Sequence, residues 1–338
     1  MAFPIINDYK AAFRNPSSRF ATLRLTPMLD AKGSPAFMAG NFAAVFKAVL
    51  DGREAGEEET GGEEAVREVA VKCFIRDLPD LEKRHQAIED VIGRSRSPYF
   101  IDLRFLPGEL FVKSTIAGNG AYPVVLMPWI EGRTMDKVLG LLCEKKHKKG
   151  LAALTRSFAK MCLGLLSMGV AHGDLKHDNV IVTPGGQLKL IDCEAMYVPA
   201  LKGLPSILLG GVNYQHPGRD ERQFGPALDH FSMLVMVLSL RALTLEPELY
   251  GRYNTGENII LTRQDLVFPR RSQLLSFLSE NEDALIRDWT KRLTAALASD
   301  SVAVSGLERL LRQARDATAD PVQGNIGGLL SLFRFGGG

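Results

Sequence analysis

The sequence predicts an α+β fold of two lobes, with a small antiparallel sheet in the first lobe and mostly helices in the second. The chain has 338 residues, and a single hydrophobic core rarely grows beyond about 250–300 residues. Alternating and β-branched segments fall mainly within residues 21–128, as expected for strands. Beyond them, apolar residues recur at the three- and four-residue spacing that is typical of helices.

The composition is that of a globular protein with enough apolar material for a core. The chain is 46% hydrophobic and 24% charged, and its formal net charge is +2. A near-neutral charge gives no long-range attraction to nucleic acid or to a membrane surface. The longest apolar run, Phe231 to Leu240, is about half a membrane span, and the start, MAFPIINDYK, lacks the pattern of a secretion signal. We therefore expect a cytoplasmic protein that binds neither nucleic acid nor membranes.

The first lobe is predicted over residues 21–128, after a lead-in of residues 1–20 that shows no clear period. AAVFKAVL, residues 43–50, and the alternating EVAVKCF, residues 68–74, predict an antiparallel strand pair. Between them, residues 51–64 carry seven acidic side chains. This composition is typical of a solvated loop, and a docking site for a basic partner is the alternative. The other predicted elements of this lobe are a helix over 78–94 and strands over 99–106, 109–113 and 122–127.

The second lobe is predicted over residues 129–316 and is mostly helical. The predicted helices cover 134–143, 151–169, 226–244, 272–280, 282–298 and 304–315. One hairpin interrupts them, because short strands over 180–183 and 187–191 flank Pro-Gly-Gly at 184–186. Glycines recur within residues 317–338, and this segment is expected to form a flexible tail.

The residues that indicate a chemistry lie in HGDLKHDNVIV, residues 172–182, and LKLIDCE, residues 188–194. Asp174 and Asn179 are five residues apart, and Asp192 follows thirteen residues later, after the predicted hairpin. This spacing lets two loop side chains and one strand-end carboxylate converge on one point. Phosphoryl transfer needs such a set, because a carboxylate orients and deprotonates the hydroxyl while two oxygen ligands hold Mg²⁺ on the nucleotide phosphates.

This stretch resembles the catalytic loop and the metal-binding segment of the protein-kinase-like superfamily. The resemblance implies that Asp174 is the catalytic base and that Lys176 neutralises charge on the transferred phosphate. It implies that Asn179 and Asp192 are the metal ligands. The cofactors implied are ATP and Mg²⁺, and the fold implied is the two-lobed protein-kinase-like fold.

Further segments match the superfamily in the expected order along the chain. VAVK, ending at Lys72, is similar to the strand whose lysine reaches the α- and β-phosphates of ATP. Gly40, in MAGNFAAVFKA, resembles a phosphate-covering hairpin whose backbone amides approach the nucleotide. GVNYQHP, residues 211–217, resembles the close of an activation segment. Asp229, in LDHFSMLV, resembles the aspartate that holds the backbone of the catalytic loop.

The segment MPWIEG, which begins at Met127, resembles the connector between the two lobes of a kinase. The resemblance implies that the backbone at Pro128 and Ile130 meets the edge of adenine. The side chains that would cover the base are Val45, Ala70 and Ile181.

The sequence departs from the superfamily pattern at several positions. Gly173 replaces the arginine of the catalytic triplet, which implies that activity does not need a phosphorylated activation loop. Met38 and Ala43 stand where the phosphate-covering hairpin usually has glycine. The metal triplet is Asp-Cys-Glu, residues 192–194, and so loses both an apolar plug and a glycine.

The glutamate that pairs with the ATP-binding lysine is not marked by a motif. Glu82 and Glu89 both lie on the helix predicted over 78–94, on nearly the same face. Glu89 fits the spacing of the superfamily better, and a solvent-facing carboxylate is the alternative for either residue.

A narrower resemblance covers residues 35–312. Phrases such as GNFAAVFK, AHGDLKHDNVIVT and GVNYQHPGR are similar to a bacterial group of kinase-like proteins, some of them encoded in stress-associated triads. The other members of a triad are a von Willebrand type A protein and a PP2C-type phosphatase. The resemblance implies a signalling or defence role and these two proteins as partners.

The sequence thus predicts ATP- and Mg²⁺-dependent phosphoryl transfer to a protein substrate. Lys176, two residues after Asp174, favours Ser/Thr over Tyr acceptors. Two alternatives stay open. The first is a pseudokinase scaffold, which would explain Met38 and the Asp-Cys-Glu triplet. The second is a small-molecule phosphotransferase of the aminoglycoside type, which shares the HGD motif.

Overall fold

A computed structural model describes residues 2–51 and 67–317 of the chain. The predicted α+β fold, with an antiparallel sheet followed by a helical remainder, is confirmed. The chain divides into two compact units. The strand-rich unit contains the residues up to Arg94 together with Ile101–Trp129, and the helical unit contains Ser95–Phe100 and the residues from Ile130 onward. The predicted acidic loop after Asp51 and the predicted tail after Ala317 lie outside the described residues.

The described elements of the two units follow in chain order. The strand-rich unit has α1 (Ile6–Phe13), β1 (Leu25–Pro27), β2 (Phe37–Ala39), β3 (Ala43–Leu50), β4 (Arg67–Phe74), α2 (Leu81–Ser95, which ends in the helical unit), β5 (Arg104–Val112) and β6 (Gly120–Pro128). The helical unit has β7 (Arg133–Thr134), α3 (Met135–Glu144), α4 (Lys148–Met168), β8 (Val180–Val182), β9 (Leu188–Leu190), α5 (His230–Leu245), α6 (Leu249–Tyr253), α7 (Arg263–Val267), α8 (Gln273–Ser279), α9 (Ala284–Leu297) and α10 (Leu307–Asp316).

The sheet of the strand-rich unit has the strand order β1-β3-β4-β6-β5, with β2 also paired to β3. The predicted antiparallel pair is confirmed as β3 and β4, in a register that places Val45 opposite Lys72. The strands predicted over 99–106 and 109–113 are instead one strand, β5. Its register to β6 shifts between Leu106 and Leu110, where Pro-Gly interrupts the alternation on which the prediction depended.

The N-terminal segment differs from the prediction, which gave residues 1–20 no regular structure. Residues of α1 pack into the core of the strand-rich unit, with Tyr9 and Phe13 fully buried. The phenol of Tyr9 donates a hydrogen bond to the carbonyl of Phe74 at 2.6 Å, and the ring of Phe13 stacks on Phe46 with centroids 4.1 Å apart. Burying each such ring contributes about 1.5–3 kcal/mol, so α1 is a structural part of this unit.

The helical unit is organised around α4 and α5, which pack on each other. Most residues of α5 are buried. The helix α9 packs on α5, and α10 packs on both α4 and α5. By length and composition alone, α4 could cross a membrane, but half of its apolar window is buried inside the unit. Core helices of globular proteins have the same composition.

A small sheet of β7, β8 and β9 lies in the helical unit. The predicted hairpin is confirmed as β8 and β9, with Val180 opposite Leu190. Gly186 in the turn has φ +77°, a conformation that glycine adopts without strain. The hairpin begins directly after Asn179 and ends two residues before Asp192, and it therefore sets the position of both side chains.

Candidate active site

The segment that resembles a kinase catalytic loop, residues 171–179 and named the catalytic-loop segment for that resemblance, runs between α4 and β8 and is held in place by Asp229. This carboxylate is fully buried and accepts hydrogen bonds from the backbone N–H groups of His172 and Gly173, the latter at 2.8 Å. Burial raises the pKa of Asp229, against the opposing effect of His172 and of the two N–H donors. Asp229 directly precedes α5, so the best-buried helix of the unit fixes the backbone of the loop.

Asp174 and Asn179 are in direct contact. The Nδ2 of Asn179 donates to the carbonyl oxygen of Asp174 at 2.8 Å and to its Oδ2 at 3.1 Å. Asn179 is 4% exposed, and none of the described residues donates a hydrogen bond to its Oδ1. The loop therefore fixes the Asn179 side chain through its Nδ2. Its Oδ1 is an amide oxygen, a type of ligand that Mg²⁺ accepts.

Asp192 is brought beside this loop by the backbone of its neighbour. The N–H of Ile191 donates to the carbonyl oxygen of Asn179 at 3.1 Å, and the ring Nε2 of His172 bonds the carbonyl oxygen of Ile191 at 2.8 Å. Asp192 itself has φ +61°, in the left-handed region that Asp tolerates better than most residues. The three side chains chosen from the sequence therefore come from one small region of the helical unit.

Lys176 lies on the same loop, and its side chain is partly exposed. Its ammonium nitrogen is 3.9 Å from a carboxylate oxygen of Asp178, a distance at which an exposed pair contributes little to stability. A Cβ on Gly211 would lie 3.5 Å from Cδ of Lys176 and 3.8 Å from Oδ1 of Asp174. The glycine thus leaves space between the side chains of Lys176 and Asp174.

Gly173 has a structural reason for not being arginine. Its φ is +82°, and a Cβ there would lie 2.1 Å from the carbonyl oxygen of Ala195. A side chain at this position would require the backbone of Gly173 or Ala195 to move, so the structure accommodates the departure that the sequence revealed.

Lys72 lies in β4 and is 6% exposed. The register places it opposite Val45 in β3, and Ala70 lies opposite Met127 in β6. Because directly paired residues point to the same side of a sheet and side chains alternate along a strand, Lys72, Val45, Ala70 and Met127 share one face. The other face carries the core that α1 covers.

Gly40 lies in the turn between β2 and β3. Its N–H donates to the carbonyl oxygen of Ala43 at 2.8 Å, and Met38, in β2, is 57% exposed. The segment predicted to cover phosphate is therefore a β-hairpin turn. Its role in nucleotide binding stays a prediction.

The residues predicted to bind adenine are divided between the two units. Pro128 ends β6 and pairs with Val69, and Ile130 is the first residue of the helical unit after it. In that unit Ile181, in β8, packs under Gly132, whose Cβ would lie 2.6 Å from Cγ2 of Ile181.

The two candidate glutamates of α2 have different surroundings. Glu89 is half-buried and its Oε2 accepts a hydrogen bond from the N–H of Phe105 at 3.0 Å. Glu82 is exposed and accepts from the side chain of Gln86. This difference favours Glu89 as the structured carboxylate, and its pairing with Lys72 stays a prediction.

A metal at this site would depend on more than protein side chains. Within residues 2–51 and 67–317, no group of three or more His, Cys, Asp or Glu is arranged to hold a metal ion. Mg²⁺ at nucleotide sites usually takes one or two protein ligands and completes its shell with phosphate and water oxygens. Asn179 and Asp192 fit that smaller requirement.

Sequence reasoning missed one residue of this region. Arg219 is 7% exposed, and one of its guanidinium nitrogens donates to the carbonyl oxygen of Gly173 at 3.0 Å. The sequence signal was slight: Arg219 directly follows the GVNYQHPG segment, and nothing in its spacing connects it to the loop.

No family model matches the chain. Curated serine/threonine-protein kinases are similar to it. Over 191 residues the chain is 26% identical to the serine/threonine-protein kinase PknL of Mycobacterium tuberculosis, which covers 55% of this chain and 46% of that protein. Over 200 residues it is 24% identical to the serine/threonine-protein kinase STE20 of Eremothecium gossypii, which covers 55% of this chain and 19% of that protein. The chain thus spans about half or less of the length of the curated relatives it matches. It is a distant relative of serine/threonine protein kinases and has a kinase-like fold.

Proposed function

We propose that the protein transfers the γ-phosphoryl group of ATP to a Ser or Thr hydroxyl of a protein substrate. The observation that carries the proposal is the cluster of Asp174, Asn179 and Asp192 on one buried, hydrogen-bonded framework. The similarity to serine/threonine kinases supports the same reaction class.

In this reaction Asp174, Lys176, Asn179 and Asp192 have different roles. Asp174 orients the acceptor hydroxyl and takes its proton as the hydroxyl oxygen forms a bond to the γ-phosphorus. The bond between the γ-phosphorus and the β–γ bridging oxygen breaks, and ADP leaves with that oxygen. Lys176 stabilises negative charge on the transferred group. Bound Mg²⁺, held by Asn179 and Asp192, would neutralise charge on the phosphates.

In the same proposal, one face of the strand-rich unit binds the rest of the nucleotide. Lys72 binds the α- and β-phosphates, and Gly40 allows the hairpin backbone to approach them. On that face Val45 and Ala70 are the apolar cover of adenine, and Met127 and the backbone at Pro128 follow along its edge. Ile130 and Ile181, which belong to the helical unit, are further proposed adenine contacts, through the backbone and the side chain respectively. We further propose a cytoplasmic location and, from the resemblance to the stress-associated triads, a PP2C-type phosphatase and a von Willebrand type A protein as partners.

The test is phosphate incorporation from radiolabelled ATP and Mg²⁺, with casein and myelin basic protein as acceptors. Asp174→Asn should lower incorporation by about 10²–10⁴-fold, the usual contribution of a general base, while nucleotide binding is retained. Asp300→Asn is the matched control, because Asp300 is exposed and its side chain has no part in the loop. Unchanged incorporation in Asp174→Asn would overturn the proposal.

A pseudokinase scaffold is the second candidate. Met38 occupies an exposed position in the hairpin where a phosphate-covering loop usually has glycine, and Cys193 and Glu194 replace the residues that usually follow the metal-binding Asp. Nucleotide titration of the wild type and of Lys72→Ala separates the two candidates. Binding that Lys72→Ala weakens, without incorporation into any acceptor, would favour the scaffold.

A further inference from the structure

The side chain of Arg219 connects two stretches of the helical unit that are far apart in sequence. It donates to the carbonyl oxygen of Gly173 at 3.0 Å. It also donates to the carbonyl oxygen of Leu208 at 3.1 Å, to Oγ of Ser206 at 3.3 Å and to Oε1 of Gln215. A buried guanidinium is costly unless its donors are satisfied. Here four neutral oxygens accept from the two terminal nitrogens, while Nε has no acceptor among the described residues.

These contacts lie next to both partners of a hydrogen bond to Asp174. The N–H of Gly211 donates to Oδ1 of Asp174 at 2.7 Å, and Arg219 holds the chain on both sides of that bond, through Gly173 before Asp174 and through Leu208 before Gly211. The Asn179 amide holds the other carboxylate oxygen at 3.1 Å. Both oxygens of Asp174 are thus set by the position of neighbouring backbone and side-chain groups.

The packing leaves little freedom for this arrangement to shift. A Cβ on Gly210 would lie 3.0 Å from Oδ1 of Asp174, 3.0 Å from the carbonyl oxygen of Gly173 and 2.7 Å from Nε2 of Gln215. Gly210 has φ +75°, so a larger residue would be strained there as well as crowded. The segment that contains Leu208 therefore contacts the catalytic loop with its backbone.

The guanidinium of Arg219 interacts electrostatically with two carboxylates of this region. Burial lowers the pKa of Arg219, and the carboxylates of Asp229 and Asp174 oppose that effect. Arginine stays protonated in proteins even when its pKa is lowered, so Arg219 supplies a positive charge beside both carboxylates. Gly173 cannot supply one, because a side chain at that position would meet the carbonyl oxygen of Ala195.

We propose that Arg219 is a positioning residue that holds residues 206–211 on the catalytic loop and so orients the carboxylate of Asp174. The acceptors of Arg219 are two carbonyl oxygens, a hydroxyl and an amide oxygen, so these contacts do not require a phosphoryl group. The inference rests on the proposed function only for its effect on phosphoryl transfer. Its structural part stands on the bond between Gly211 and Asp174.

The experiment compares Arg219→Lys with Arg222→Lys. Lysine keeps the charge, but a single ammonium group cannot replace the planar fork that reaches both carbonyl oxygens. Arg222 is an exposed arginine in the same turn and is the matched control. We expect kcat for casein phosphorylation to fall roughly a hundredfold in Arg219→Lys, the order of loss that a small misplacement of a reacting group causes. The dissociation constant for ATP should change less than about twofold, and Arg222→Lys should match the wild type.

A double variant separates positioning from general damage. If Arg219 acts through Asp174, Arg219→Lys should cause no further loss in an Asp174→Asn background. A purely structural role predicts the same proportional loss in both backgrounds, together with a lower melting temperature, and that result would overturn the inference.

Hydrogen exchange of the Gly211 amide tests the inference without activity. In Arg219→Lys the protection of this amide should fall at least about tenfold, while the Gly173 amide, which Asp229 holds, keeps its protection. If the wild type transfers no phosphate but Gly211 behaves in this way, the proposed function fails and the positioning stands. Unchanged protection of Gly211 would refute the positioning. Should Arg219→Lys not fold, Ser206→Ala, which removes one acceptor, should show the same losses in smaller size.

Discussion

The catalytic-loop segment and the hairpin turn at Gly40 carry the predicted chemistry in different ways. Buried side chains hold the loop, since Asp229 binds two of its backbone N–H groups and Asn179 and Arg219 bind its carbonyl oxygens. Among the described residues, the turn has backbone bonds from Gly40 to Ala43 and from Ile75 to Phe42, and the guanidinium of Arg76 lies over the ring of Phe42. The loop, which must orient one carboxylate, is held by several buried side chains, whereas the turn is held mainly by backbone bonds. The comparison predicts that substitutions around the loop cost much more stability than substitutions in the turn.

The largest expected effect is that of Asp229→Ala. Removing the carboxylate leaves two buried N–H groups without acceptors, and each hydrogen bond to a charged group contributes about 1.5–3 kcal/mol. We expect the free energy of unfolding of the helical unit to fall by about 3–5 kcal/mol, as measured by urea denaturation, with loss of phosphoryl transfer. Asp229→Asn keeps one acceptor oxygen and should lose less. An Asp229→Ala protein as stable as the exposed-site control Asp300→Ala would contradict the role of Asp229.

Gly173→Ala should follow, with a loss of about 3 kcal/mol. Two effects add, because left-handed backbone costs a non-glycine residue about 1–2 kcal/mol and the new Cβ would meet the carbonyl oxygen of Ala195 at 2.1 Å. Gly203→Ala is the matched control, since Gly203 has φ +92° and open space around it. Its loss should be limited to the backbone cost. Equal losses in both variants, by urea denaturation, would show that the contact with Ala195 is not restrictive.

What the sequence could predict followed from local pattern. The β3–β4 pair came from alternation, the β8–β9 hairpin from Pro-Gly-Gly, and the spacing of Asp174, Asn179 and Asp192 from their places in a loop and at a strand end. Each of these features depends on the pattern within one strand, one loop or one turn, which is the range over which periodicity and turn chemistry act.

What it could not predict depends on tertiary contacts. Arg219 and Gly173 are 46 residues apart, and no spacing rule connects an arginine after a proline to a carbonyl oxygen in another loop. The positive φ of Gly173 could not be predicted from the sequence either, because it depends on how closely the backbone of Ala195 packs against it. The helix α1 was missed for another reason. Ile6, Tyr9 and Phe13 do have helical spacing, but the Asn, Pro and Ser residues around them obscured the pattern.

The smallest expected effect is that of Gly40→Ala in the hairpin turn. Gly40 does not have a positive φ, and a Cβ there would lie 3.4 Å from the carbonyl oxygen of Ala43, a contact that a small shift relieves. Alanine also reduces the entropy of the unfolded chain, which favours folding by about 0.4–1 kcal/mol where the backbone is compatible. We therefore expect the free energy of unfolding to change by about 1 kcal/mol or less in urea denaturation. A loss as large as that of Gly173→Ala would mean that the turn is held as tightly as the loop, and the difference between the two regions would disappear.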